Sequence, residues 1–175
     1  MNRVVAIVCL LIFACSSAKT PRAATLPVAK LAFVDPVTNL RAWTMTEDGE
    51  LVQMVLPIGT LGVDGTFVFR VPSIAARLDA DGRIVITGPE RPALDEIFIE
   101  TMPGLVAGLL AGRGTIRSPY RITADGNAST VDGKSLAIDG TGRIERWEIH
   151  GLTPGNRRTA MFIYVLMAMV SEPSR

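Results

Sequence analysis

Asp64-Gly65-Thr66-Phe67-Val68-Phe69-Arg70-Val71 decides how this chain folds. Asp-Gly tolerates the positive φ angles of a tight hairpin turn. Phe67, Phe69 and Val71 then alternate with shorter or polar residues, the period of a strand with one buried face. The stretch therefore reads as a turn that opens a strand. The same pair recurs at Asp48-Gly49, Asp81-Gly82, Asp125-Gly126, Asp132-Gly133 and Asp139-Gly140. Alternation follows the first two of these, at Val52, Met54 and Leu56 and at Ile84 and Ile86, and Leu136 and Ile138 lie between the last two. At least three true hairpins are expected.

Further strands are predicted at Leu26–Val34, Leu40–Met45, Ile116–Thr123 and Ile144–Leu152. Turn signals recur every 8–15 residues, the spacing of sandwiches and barrels. The fold class is all-β, an antiparallel sandwich or partly closed barrel of about 8–10 strands, with one helix near 92–112. That helix has Pro92 for its first turn, Asp95 and Glu96 for its positive end, and a stripe of Leu94, Phe98, Met102, Leu105 and Leu109. Pro103 should kink it, and Gly104, Gly108 and Gly112 would let it approach a neighbouring backbone closely. Ala160–Val170 is an unbroken apolar run of eleven residues. Periodicity cannot separate a buried strand from a buried helix there. Phe162, Ile163, Tyr164 and Val165 favour a strand, while Leu166, Met167, Ala168 and Met169 favour a helix; the strand is preferred, and it would close a hairpin with Ile144–Leu152.

One internal echo stands out. Val34-Asp35 is followed by Leu40 and Trp43, and Ile138-Asp139 by Ile144 and Trp147, at the same spacing. Trp43 and Trp147 are therefore candidate ligand contacts on two equivalent strands.

The first eighteen residues set the compartment. Arg3 precedes an apolar run from Val4 to Ala14, closed by Cys15-Ser16-Ser17-Ala18, the order of parts in an export signal. The run is too short to span a bilayer as a helix. Ser16-Ser17-Ala18 would permit cleavage before Lys19. Ile12-Phe13-Ala14-Cys15 resembles the lipobox of bacterial lipoproteins over four residues, with Phe13 bulkier than the pattern prefers. That resemblance implies cleavage after residue 14, lipid attachment at Cys15 and, with Ser16 following, delivery to the periplasmic face of the outer membrane. Without lipidation the protein would be periplasmic or secreted. The organisation expected is an export signal over 1–14 (alternatively 1–18), a flexible tether over 15–24 and one β-rich domain over 25–175.

Composition removes several function classes. Eighteen basic residues face seventeen acidic ones, which argues against a nucleic-acid partner attracted by bulk charge. The two cysteines are Cys9 and Cys15, so the domain has no disulfide framework and no thiolate metal site. The single histidine, His150, lies near Glu145 and Glu148, and in a strand only Glu148 would share its face. No phosphate loop and no Gly-x-Ser-x-Gly elbow is present. Asp95, Glu96 and Glu100 read as solvated helix-start charges. Asp79-Ala80-Asp81-Gly82, with Glu90 twelfth, imitates a calcium loop but has its glycine misplaced, so a β-turn is the better reading. Asn127-Ala128-Ser129 is a glycosylation sequon that matters only in a eukaryotic secretory pathway. Arg113, Arg117 and Arg121 recur every four residues and would form a basic face on one strand, suited to an anionic headgroup or polysaccharide.

The resulting expectation is an exported, lipid-anchored accessory protein of the cell envelope. Its role would be non-catalytic binding or structure, with no metal or cofactor, and its partners the membrane through Cys15 and an envelope protein or polysaccharide. The alternative is a carrier or small hydrolase-like barrel holding an apolar ligand beneath the 92–112 helix.

Overall fold

The computed structural model describes residues 25–70, 74–88 and 114–171. The export signal, Cys15, the tether, the 92–112 helix and Arg113 lie outside these residues. The described chain forms strands β1 (Leu31–Val34), β2 (Arg41–Met45), β3 (Glu50–Gln53), β4 (Leu56–Leu61), β5 (Phe67–Phe69) and β6 (Ala75–Leu78). There follow β7 (Arg83–Thr87), β8 (Thr115–Ile122), β9 (Ala128–Ser129), β10 (Ser135–Leu136), β11 (Arg143–Ile144) and β12 (Trp147–His150). A short 3-10 turn, Pro154–Asn156, leads into the helix α1 (Arg157–Ser171).

All twelve strands join one antiparallel sheet. From β1 to β10 each strand pairs with the next, and β12 pairs back onto β1. The sheet's two edges, β10 and β11, are joined by residues 137–142 alone, so the sheet curls into a nearly closed barrel. The fold is thus the barrel of the two architectures expected, with more strands than the eight to ten read from turn spacing.

One face of the sheet turns inward along the whole ladder. Ile149, Phe33 and Trp43 stand opposite one another, as do Leu31, Met45 and Leu51, and Phe67, Ala76, Ile86 and Ile116. Nearly all are buried, and strand alternation puts their neighbours outside.

Among the described residues, α1 fills the barrel. Every residue from Thr159 to Met167 is buried, so no side of the helix faces water. A helix apolar all round is stable only when surrounded. Here Tyr164 meets Phe33 and Trp43 on one wall, Arg158 reaches the Ile122 carbonyl on another, and Arg157 reaches the Ile138 carbonyl at the seam.

This overturns the strand expected over Ala160–Val170. Its β-branched and aromatic residues suit either state. What precedes it suits the helix, since Pro154 and the Asn156 side chain build a helix start. Asn156 Oδ1 accepts the Thr153 amide at 2.7 Å, and its Nδ2 donates to the Gly151 carbonyl at 3.0 Å. Ile144–Leu152 is not one strand either. Glu145, at φ 52°, reverses the chain between β11 and β12.

Because neighbouring strands are sequential, their connections alternate between the two ends of the barrel. One end is nearly uniform. Thr46-Glu47-Asp48-Gly49, Gly62-Val63-Asp64-Gly65, Asp79-Ala80-Asp81-Gly82, Thr123-Ala124-Asp125-Gly126 and Asp139-Gly140-Thr141-Gly142 all make the same turn there. In each, the fourth residue is a glycine at positive φ whose amide donates to the first residue's carbonyl, and the first amide donates to the fifth carbonyl. This is a three-residue hairpin loop with a glycine bulge. Among the described residues, the other end carries one such turn, Thr130-Val131-Asp132-Gly133, and connections of other kinds at 35–40, 54–55 and 145–146. Val37, Leu40, Met54, Val55, Leu56 and Val131 project there, with Val37 at 91% and Val55 at 84% exposure.

Candidate functional site

The two tryptophans do meet. Trp43 on β2 and Trp147 on β12 flank β1 with ring centroids 5.3 Å apart. Phe33 packs edge-on to Trp43 at 5.7 Å, and Tyr164 of α1 completes the cluster at 6.3 Å. Trp43 is 9% and Trp147 8% exposed, so both rings belong mainly to the packing between sheet and helix. The Arg146 guanidinium lies 4.6 Å above the Trp147 ring, a cation–π contact that covers the cluster from the β11–β12 turn. The sequence echo behind these residues has no structural counterpart. Trp43 lies on the strand that directly follows its turn, whereas Trp147 follows a second reversal at Glu145-Arg146 and faces Ile144 across a hairpin.

His150 is exposed on β12, and its Nε2 lies 3.2 Å from Glu148 Oε1. Glu148 also accepts from Arg143 at 3.3 Å. Glu145 is drawn elsewhere and accepts the Tyr164 hydroxyl. Among the described residues no group of three or more His, Cys, Asp or Glu is placed to hold a metal ion. Asp79 is used as a turn residue: its Oδ1 accepts the amides of Asp81 at 2.9 Å and Arg83 at 3.0 Å.

The uniform end is strongly acidic. Its five turns contain Glu47, Asp48, Asp64, Asp79, Asp81, Asp125 and Asp139 and no basic residue. Hydrogen bonds within the turns hold several carboxyls below the ordinary aspartate range. Asp139 is lowered first by the Arg143 amide, Asp125 by the Thr123 hydroxyl and Asp64 by the Thr66 amide. The ring of charge has a partner in the fold. Helix α1 enters the barrel at this end with Arg157 and Arg158 in its first turn and no acid of its own. The positive helix end and two guanidiniums would repel each other, and the surrounding acids offset that.

A cleft of about 320 Å³ opens beside them, lined by Asp139, Thr141, Leu152, Thr153, Pro154 and Arg157 among others. Its charged groups are already committed. Asp139 accepts from the Thr141 amide at 2.8 Å, the Thr141 hydroxyl at 2.7 Å and the Arg143 amide at 2.9 Å, while Arg157 donates to the Ile138 carbonyl.

The outer face of β6, β7 and β8 is different. Arg117 and Arg121 both point outward on β8, with Ser118, Tyr120 and Ile122 turned the other way. Register adds two arginines that linear spacing could not reveal. Arg83 of β7 stands directly opposite Arg121, and Arg77 of β6 faces Val85, which faces Arg117. A bulge makes the group compact: Ser118, Pro119 and Tyr120 on β8 oppose the single Ile84 on β7. No family model, curated protein or solved structure matches the chain.

Proposed function

We propose that this chain is an exported accessory protein of the cell envelope, a lipoprotein held through Cys15, that works by binding or by structure and not by catalysis. The observation that favours a binding or structural role over that of an apolar-ligand carrier is the occupied barrel. Phe162, Ile163, Val165 and Leu166 of α1 stand where a carrier would hold an apolar molecule, and all are buried. Small-molecule sites are concave and largely preformed, and the volume such a site would need along the axis is taken by the protein's own helix. Interaction therefore falls to the outside surface. Export rests on the order of basic, apolar and small residues at 1–18, and lipidation on Ile12-Phe13-Ala14-Cys15.

Intact mass of the membrane fraction tests the anchor, with the chain expressed behind its own signal beside a Cys15→Ser variant. The wild-type chain should begin at Cys15 and carry lipid mass, and the variant should lose both. An unmodified chain beginning at Lys19 would exclude the anchor.

A further inference from the structure

The arginine group on the outer barrel wall is costly as it stands. Strands lie about 4.8 Å apart and alternate outward residues about 7 Å along a strand, so Arg77, Arg83, Arg117 and Arg121 root within roughly 10 Å by 7 Å. Like charges directly opposite in a ladder destabilise it, and Arg83 and Arg121 are directly opposite. One carboxylate offsets this: Asp79 Oδ2 lies 3.4 Å from Arg117 Nη1. Asp79 is itself fixed by the Asp81 and Arg83 amides, so it holds the Arg117 guanidinium beside the β6–β7 turn. Among the described residues no carboxylate pairs with Arg77, Arg83 or Arg121. The Nε of Arg83 is withdrawn from solvent and donates to nothing.

We infer that these four arginines form a binding site for a phosphate group. A phosphate presents several acceptor oxygens and up to two negative charges. It can therefore take two or three guanidinium forks at once, where a lone carboxylate matches one. The chain as a whole carries almost no net charge, so the attraction is local to this wall. The site depends on the register of β6–β8 and not on the export signal, so its failure and the failure of the envelope reading are separate results. In an envelope setting the phosphate would belong to a lipid headgroup, elsewhere to a soluble ligand.

The test titrates the purified full-length protein with inorganic phosphate at constant ionic strength. In parallel it is sedimented with vesicles of phosphatidylcholine alone and of phosphatidylcholine mixed with phosphatidylglycerol. Phosphate should bind and raise the melting temperature. The Arg83→Gln/Arg121→Gln variant should lose about a hundredfold in affinity, through two charge-assisted contacts. Arg77→Gln, an exposed change, should lose about tenfold. Arg41→Gln/Arg143→Gln removes the same charge from another part of the barrel and should bind as the wild type does. Arginine-dependent binding to the mixed vesicles assigns the phosphate to a headgroup, and binding to inorganic phosphate only assigns a soluble ligand. Equal loss in the Arg41/Arg143 variant, or no binding in either arm, overturns the site.

Discussion

Tyr164 joins the helix to the wall of the barrel at a single hydroxyl. Burial first, and then the hydrogen bond to the Glu145 carboxylate, push its phenol well above its usual value of 10.0. A raised pKa favours the neutral form in the folded state. The stability it supplies is complete below pH 10 and lost as pH climbs from there toward the folded value. The turn aspartates run the other way. Asp35, Asp64, Asp125, Asp132 and Asp139 are lowered in the fold, so their contribution is present above pH 4 and is lost as pH falls. Melting temperature against pH should therefore show a plateau with two falling limbs. Tyr164→Phe should remove the alkaline limb, leave the acid limb, and cost about 1 kcal/mol at neutral pH. Glu145 is exposed and recovers water in that variant.

At the scale of elements, the repeated turn separates two costs that usually come mixed. Gly126 and Gly133 hold the same position in the same kind of turn, at φ 83° and 87°. A Cβ on Gly133 would meet nothing, whereas one on Gly126 would lie 2.7–2.8 Å from the backbone and Cβ of Arg157, where α1 begins. Gly133→Ala should cost about 1 kcal/mol, from left-handed backbone alone. Gly126→Ala should cost roughly 2–4 kcal/mol, because overpacking against the helix start is added. Chemical denaturation of the two variants would measure the difference. Equal losses would mean that the helix start yields freely.

The turns were legible because Asp-Gly is a local device. Five of the six pairs link strands that pair with each other, and the sixth closes residues 139–143. The wider signature, a Thr, Asp or Gly three residues before the glycine, was also in the sequence. It pays attention to the first residue as well as the dipeptide: Thr46, Asp79, Thr123, Thr130 and Asp139 each accept the fifth amide through a side-chain oxygen. What was not legible was the state of Ala160–Val170. A segment buried on every side carries no period, and only the barrel around it settles whether its neighbours are strands or water. The arginine site was half legible for a related reason. Spacing put Arg117 and Arg121 on one face, but Arg77 and Arg83 joined them through cross-strand register, which linear sequence does not display.

For the molecule as a whole, the inward row of the sheet is covered, among the described residues, chiefly by α1. A chain ending at Asn156 would expose Phe33, Met45, Leu51, Phe67 and their neighbours at once. It should show no cooperative thermal transition, and calorimetry of that shortened chain would check this. A sharp melt would mean that the sheet can close on itself. The two ends of the barrel also divide the work. One repeats a single acidic turn around the entry of the helix, and the other, among the described residues, carries projecting apolar side chains such as Val37 and Val55.

The order of these parts along the chain sets a schedule. Every described strand precedes the helix they enclose. During synthesis, which runs from the N-terminus, the described strands are all made before α1 exists. If the shortened chain fails to melt cooperatively, folding of the barrel waits for α1. Under the export reading proposed above, that delay would leave the chain unfolded while it is threaded through a membrane.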